Sequence, residues 1–165
     1  MFKWLAEDCG ITILGNNLGY AGHIGGKESI FDKNGVKHEI FDRLNSHFDY
    51  MRDKHDMGVY LMFYGDDGHK PNFKGKSKEE LRLLRYIVAR FACYPIVLWD
   101  SGIDISEFRS TGKGGWTEWF CSHINSIDPW KHPVGSRDAP GDFPNTSTYR
   151  SRGGAKLPKR EDIIN

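Results

Sequence analysis

Residues 96–108, "IVLWDSGIDISEF", contain the pattern that most strongly indicates the architecture of this chain. The stretch begins with an apolar run that lacks the alternation of a half-exposed strand, directly after Pro95, where a preceding helix must end. Two aspartates, Asp100 and Asp104, follow this apolar run. The stretch therefore predicts a buried strand that carries carboxylates at its far end.

The order of helix followed by strand recurs along the chain. Apolar residues at helical spacing predict helices over residues 1–9, 40–51, 81–91 and 116–127, and the S-x-x-E pattern of a capping box stands at residues 77–80. Apolar runs predict strands over residues 11–14, 59–63, 95–99 and 132–136, and a polar, glycine-rich loop over 16–38. Apolar strands separated by helices are typical of an α/β fold, with about four parallel strands and flanking helices.

Length and composition favour one domain. The chain has 165 residues, 38% of them hydrophobic, and we expect a single domain over residues 1–136 followed by an irregular tail over 137–165. The net charge of +1 offers no electrostatic footprint for nucleic acid. No apolar run reaches the roughly 20 residues of a membrane span, and the N-terminus lacks a secretory segment. We expect a cytoplasmic protein, or a secreted one if a signal segment lies upstream.

The three cysteines, Cys9, Cys93 and Cys121, lack the paired spacing of a zinc site or a disulfide framework. They are predicted to be core thiols, and no cofactor is predicted.

Polar residues follow each predicted strand. These are "GNN" (15–17), "YGDDGH" (64–69), "DSGID" (100–104) and "SRD" (136–138). In parallel α/β folds ligands bind at the carboxyl ends of the strands, because the loops leaving the strands converge there. The sequence therefore predicts a polar pocket at this edge of the sheet.

Two phrases carry a resemblance to a known family. "YIVARFACYPIVLWDSGIDISEF" (86–108) resembles the third helix and fourth strand of clan A glycoside hydrolases, and "INSIDPWKHPV" (124–134) is similar to the segment after them. The resemblance is strongest to apiosidase-like and cellulase-like TIM barrels. It covers roughly residues 1–136 and implies a partial (β/α)8 barrel, from about the first helix to the fifth strand, that acts as a hydrolase on a carbohydrate.

The resemblance places the general acid/base of the family on Asp104. Ile103 stands where the family usually has Asn, and the nucleophile on the seventh strand of the family has no counterpart. Because glycoside hydrolysis uses two carboxyl groups, the second must come from Asp66, Asp67, Asp100 or Glu107, or from another subunit. A partial barrel also leaves open sheet edges and an apolar inner face, so we expect a homo-oligomer, such as a homodimer.

We expect several aromatic and polar residues to bind the substrate, but each of them could have a purely structural role instead. Trp99 suits stacking on a sugar or packing in the core, and Tyr64 suits steering a proton or filling the mouth of the sheet. Asn16 and Asn17 suit hydrogen bonding to a substrate or a turn. His69 could bind the substrate, or it could bind a metal together with Asp66 and Asp67. A solvated turn explains the sequence "GDDGH" more simply.

The two principal carboxylates also have structural alternatives. Asp104 suits catalysis or capping of a short helical turn, and Asp100 suits catalysis or accepting a structural hydrogen bond. Two other functions stay open. One is a different hydrolase, such as an esterase, that uses Ser101 with His69 and Asp104, although the G-x-S-x-G elbow is absent, or a metal at "DDGH" (66–69). The other is a carbohydrate-binding remnant without catalysis.

Overall fold

The computed structural model describes residues 2–18, 31–32, 35–65, 74–111 and 114–136. The strands are β1 (Ile13–Asn17), β2 (Phe31–Asp32), β3 (Gly35–Val36), β4 (Gly58–Tyr64), β5 (Ile96–Gly102) and β6 (Val134–Gly135). The helices are α1 (His38–His55), α2 (Lys78–Phe91) and α3 (Trp116–Ile127), with a π-helical turn at Trp4–Asp8 and a 3₁₀ turn at Ile105–Glu107. The tail predicted over residues 137–165 lies outside these residues.

The main sheet is parallel and open. Its strand order is β1-β4-β5-β6, and every pairing in it is parallel. Chain order and spatial order coincide, which is the arrangement of consecutive strands in a barrel. The predicted α/β class with four parallel strands is confirmed, and the open sheet is consistent with a partial barrel.

The region predicted as a loop over residues 16–38 is more ordered than expected. β1 extends to Asn17, and β2 and β3 form a separate antiparallel pair in which Phe31 lies opposite Val36. The prediction of a continuous loop was wrong at these positions because two-residue strands are too short to produce a periodic sequence signal.

The helices cover one face of the sheet. Parallel strands that are neighbours in both chain and space are joined by right-handed crossovers, which place consecutive helices on the same side. The ring of Phe63 on β4 contacts Trp99 on β5 and Phe120 on α3, with centroids 5.7 and 5.2 Å apart. The predicted stripe of α1 is confirmed, since its buried residues are Ile40, Phe41, Leu44, Phe48 and Met51. Among the described residues, no helix has the length and apolar character needed to cross a bilayer.

The N-terminal helix differs from the prediction. In place of a regular helix over residues 1–9 there is a π-helical turn, Trp4–Asp8, with no fully buried residue, and Gly10 at φ 67° follows it. Cys9 is exposed beside this turn, and Cys93 is exposed in the turn after α2. The prediction that these two thiols belong to the core was wrong, because both lie where a helix has already ended.

β4 and β5 lie close together at Gly102. A side chain added there would place its Cβ 2.1 Å from the Tyr64 carbonyl oxygen, and Gly102 has φ 132°. The same carbonyl accepts a hydrogen bond from the amide of Ile103 (3.2 Å). Only glycine permits both the backbone angle and the approach.

We predict that Gly102→Ala lowers the free energy of unfolding by about 3 kcal/mol, because backbone strain adds to a clash with Tyr64. Gly10→Ala is the matched control, since Gly10 also has a positive φ but has open space around its Cα. It should lower the free energy by about 1 kcal/mol. Urea denaturation of both variants measures the difference, and equal losses would contradict the clash.

Candidate functional site

The strand register brings polar residues into one row. Asn17 on β1 pairs with Met62 on β4, Met62 pairs with Asp100 on β5, and Asp100 pairs with Gly135 on β6. Residues paired in register point to the same face of a sheet. The preceding row contains Trp99, which packs in the core on the helix side, so the Asn17–Asp100 row points to the opposite face, here called the inner face.

Asp100 is buried, and both of its carboxylate oxygens accept hydrogen bonds. Oδ1 accepts from the amide of Gly102 (2.9 Å), and Oδ2 accepts from the hydroxyl of Tyr60 on the neighbouring strand. A buried carboxylate needs such donors, since desolvation penalises its charge. The position of Asp100 therefore fits the structural alternative, a hydrogen-bond acceptor that joins β4 and β5.

Asp104 lies two residues beyond β5, at the start of the 3₁₀ turn. It is only partly buried and has φ 49°, a left-handed conformation that aspartate tolerates. Its carbonyl accepts from the amide of Glu107 (3.1 Å), but its side chain makes no capping bond to the turn. The helix-cap alternative therefore lacks its hydrogen bond. Glu107 lies one turn further on and is exposed.

The two asparagines point in different directions. The Nδ2 of Asn17 donates to the carbonyl of Tyr64 (3.3 Å), so Asn17 links β1 to the carboxyl end of β4. Asn16 pairs with Leu61, a core residue, and its Nδ2 donates to the carbonyl of Leu14 (3.1 Å). The sheet therefore places Asn17 with Asp100 on the inner face and Asn16 on the helix side. Asp66, Asp67 and His69 lie outside the described residues.

Trp99 is fully buried in the core, where its Nε1 donates to Asp128 (2.9 Å). The position fits the core-packing alternative, since a buried ring presents no face to a sugar. Asp128 also accepts from the amide and Nδ1 of His132 (both 2.8 Å) and from the amide of Trp130 (3.0 Å). Burial alone would raise the pKa of Asp128, but the hydrogen bonds from Trp99, His132 and Trp130 lower it below its ordinary value.

Tyr64 is also fully buried. Its hydroxyl donates to Glu80 Oε1 (3.1 Å), and its ring packs against Trp116 with centroids 5.7 Å apart. Burial and then the neighbouring Glu80 carboxylate raise the pKa of Tyr64 well above its usual range, so the phenol stays protonated and donates. This position fits the alternative that Tyr64 fills the mouth of the sheet.

Sequence reasoning missed the role of Glu80. The predicted capping box is confirmed in one half only. The Ser77 Oγ accepts from the amide of Glu80 (3.3 Å), but the Ser77 amide donates to the carbonyl of Lys74 (3.3 Å) and not to Glu80. The Glu80 side chain, however, is buried and accepts from Tyr64, from the Nε1 of Trp116 (2.9 Å) and from the amide of Lys76. The capping pattern was the one sequence signal for this residue, and it indicates only local backbone contacts.

Two side chains with nucleophilic atoms are poorly placed for attack. The Oγ of Ser101 is buried and shares a hydrogen bond with the Oγ of Ser136 (2.5 Å), and no described histidine contacts it. Burial, followed by the Asp100 charge, raises the pKa of Cys121 to about 12, so the thiol stays protonated near neutral pH. The geometry of the described residues therefore does not support the esterase alternative.

Comparison with known proteins yields one fold likeness. No family model and no curated protein matches the chain. A solved structure from Bacteroides vulgatus, described as a "putative glycoside hydrolase", is similar with a TM-score of 0.50 and 19% identity over 68% of this chain. The chain spans about a quarter (24%) of the length of that neighbour. At this identity the likeness concerns the fold alone.

We predict that Asp128→Asn lowers the free energy of unfolding by about 2 kcal/mol at pH 7, since charged acceptors form the stronger hydrogen bonds. The pKa of Asp128 is lower in the folded chain than its ordinary value of 3.8. The contribution of the Asp128 charge to the free energy of unfolding is therefore complete above about pH 4. It is lost as the pH falls through the pKa of Asp128 in the folded chain. Urea denaturation from pH 7 to pH 2.5 checks this.

In that experiment, the difference in free energy of unfolding between wild type and Asp128→Asn should become smaller as the pH falls. The exposed Asp8→Asn is the control and should change the free energy by no more than about 0.5 kcal/mol at pH 7. A difference for Asp128→Asn that stays constant down to pH 2.5 would contradict the role given to the charge.

Proposed function

We propose that the chain is a glycoside hydrolase-like hydrolase that acts on a carbohydrate, with Asp104 as its general acid/base. The observation that carries the proposal is the position of Asp104, two residues beyond the carboxyl end of β5, the strand on which Asp100 lies. Ligands of parallel α/β folds bind at this edge. The fold likeness to a structure described as a glycoside hydrolase supports the same function.

Accessibility favours Asp104 over Asp100 as the acid/base. A group that protonates a leaving oxygen must come within hydrogen-bond distance of the substrate. Asp100 is buried and receives bonds from Gly102 and Tyr60, whereas Asp104 is partly exposed on a turn. In this proposal Asp100 supports the inner face, and Asp104 acts on the substrate.

The second carboxylate has three candidate sources. Glu107 is exposed one turn beyond Asp104, and the adjacent Asp66 and Asp67 follow β4 in sequence but lie outside the described residues. A partner subunit is the third source. The separation of the two carboxyl groups sets the stereochemical outcome, at about 5–5.5 Å for retention and about 6.5–9.5 Å for inversion.

A homo-oligomer is part of the proposal. Ile13 on the edge strand β1 is 47% exposed, and Val97 on β5 is 40% exposed. Both side chains flank Gly58, so they form one apolar patch at the amino end of the sheet. An exposed apolar patch beside an open sheet edge favours association with a second copy.

We predict that the chain sediments with the mass of two or more copies. A double variant, Ile13→Lys with Val97→Lys, should sediment with the mass of one copy, because charge disfavours burial of the patch. Ser46→Lys, on the exposed surface of α1, is the control and should leave the mass unchanged. A wild-type chain with the mass of one copy would refute the association.

For the catalytic role, we predict that Asp104→Asn lowers kcat on an activated aryl glycoside by about 10²–10⁴-fold, the usual contribution of a general acid or base. Asparagine tolerates the left-handed backbone of Asp104, so the fold should be preserved. The matched control is Asp56→Asn, at an exposed aspartate with φ 50° at the end of α1, and it should retain full activity.

The assay uses a panel of aryl glycosides and aryl esters. Equal rates for Asp104→Asn and Asp56→Asn would refute the assignment of Asp104. Binding of an oligosaccharide without turnover of any substrate would support a carbohydrate-binding remnant in place of an enzyme, and turnover of esters alone would support an esterase.

A further inference from the structure

The side chain of Glu80 connects four segments of the chain. It accepts hydrogen bonds from Tyr64 at the end of β4, Lys76 before α2 and Trp116 at the start of α3. It also pairs with Arg109, after β5, with Nη2 3.4 Å from Oε1. Glu80 is fully buried, and its hydrogen bonds with Tyr64 and Trp116 are buried with it. We call these five residues the Glu80 clamp.

A buried carboxylate with this set of partners is costly to disturb. Removing one member of a buried ion pair leaves the other charge uncompensated in a low dielectric. The side chain of Arg109 is itself only 10% exposed, and its guanidinium lies over the rings of Trp116 and Phe108, at 5.7 and 5.4 Å from their centroids. Arg109 therefore has a defined position that depends on Glu80 and Trp116.

Arg109 lies at the end of the segment that carries Asp104 and is hydrogen-bonded to it through the backbone. The amide of Arg109 donates to the carbonyl of Ile105 (2.8 Å), and the amide of Glu107 donates to the carbonyl of Asp104 (3.1 Å). The other end of the segment is attached to β4, where Ile103 donates to Tyr64 (3.2 Å). Residues 103–109 are thus held at one end by the sheet and at the other by the clamp.

Tyr64 connects both attachments. Its carbonyl accepts hydrogen bonds from the amide of Ile103 and the Nδ2 of Asn17, while its hydroxyl donates to Glu80. A displacement of Glu80 therefore reaches the inner-face row through Tyr64 and the Asp104 segment through Arg109. Both routes run through directional hydrogen bonds and start at the fully buried Glu80 carboxylate, where misplacement of a donor is costly.

We propose that Glu80 is a positioning residue, which sets the place of Asp104 through Arg109 and Tyr64 without touching the substrate. This inference rests on the proposed function for its catalytic consequence. Its structural part, that the clamp orders residues 103–109, stands on the described contacts. Small displacements of reacting groups lower rates strongly, by about 10²-fold for about 1 Å.

The test compares Glu80→Gln with Glu79→Gln. Glutamine keeps the size of the side chain but removes the charge that Arg109 needs, and Glu79 is the adjacent exposed residue on the same turn of α2. Hydrogen exchange at the amides of residues 107–109 should become about tenfold faster or more in Glu80→Gln, while amides in α1 and all amides in Glu79→Gln stay unchanged.

Kinetics provide the second readout. On an aryl glycoside, Glu80→Gln should lower kcat by about 10–100-fold with KM within about twofold of wild type, since positioning acts on the reacting group and not on uniform binding. If Glu80→Gln does not fold, Tyr64→Phe removes a single donor to Glu80 with little change of volume. It should show the same changes to a smaller degree.

The outcomes separate the two proposals. Exchange at residues 107–109 that stays at the wild-type rate, or a kcat of Glu80→Gln equal to that of Glu79→Gln, overturns the positioning role. A wild-type chain without glycoside turnover overturns the proposed function, and the exchange experiment then still decides whether Glu80 orders the Asp104 segment.

Discussion

The carboxyl edge of the sheet depends on the close approach of β5 to β4 at Gly102. Because this residue has no side chain, the carbonyl of Tyr64 can receive the amide of Ile103 from one side and the Nδ2 of Asn17 from the other. One carbonyl oxygen, with two lone pairs, thereby joins β1, β4 and the segment after β5. The polar residues of three chain segments converge because their backbones meet at this point.

Burial separates the carboxylates of the fold into two kinds. Glu80, Asp100 and Asp128 are all fully buried, and each accepts several hydrogen bonds from different parts of the chain. Their contacts repay desolvation and join helices, strands and loops. Asp104 and Glu107 lie on a turn with access to solvent. Residue type alone did not distinguish these kinds, since both consist of carboxylates.

The sequence predicted features that arise from local periodicity. The stripe of α1, the cap at Ser77 and the parallel order of the strands all follow from spacing within about 15 residues or from the succession of elements. The Glu80 clamp could not be predicted in this way, because its side-chain donors are 16, 29 and 36 residues away along the chain. The side of the sheet on which Asn16 lies depended on where β1 begins, and a shift of one residue reverses every side chain.

The partition between buried and accessible carboxylates also bears on the catalytic assignment. A general acid must exchange its proton with solvent or substrate during turnover, so a buried carboxylate with hydrogen-bond donors on both oxygens is poorly suited to the role. Asp100 has such donors in Gly102 and Tyr60. Asp104 instead occupies a left-handed turn whose backbone is closed by its own hydrogen bonds and anchored through Arg109. The fold therefore presents Asp104 on an ordered but accessible segment, which suits an acid/base that acts at the edge of a parallel sheet.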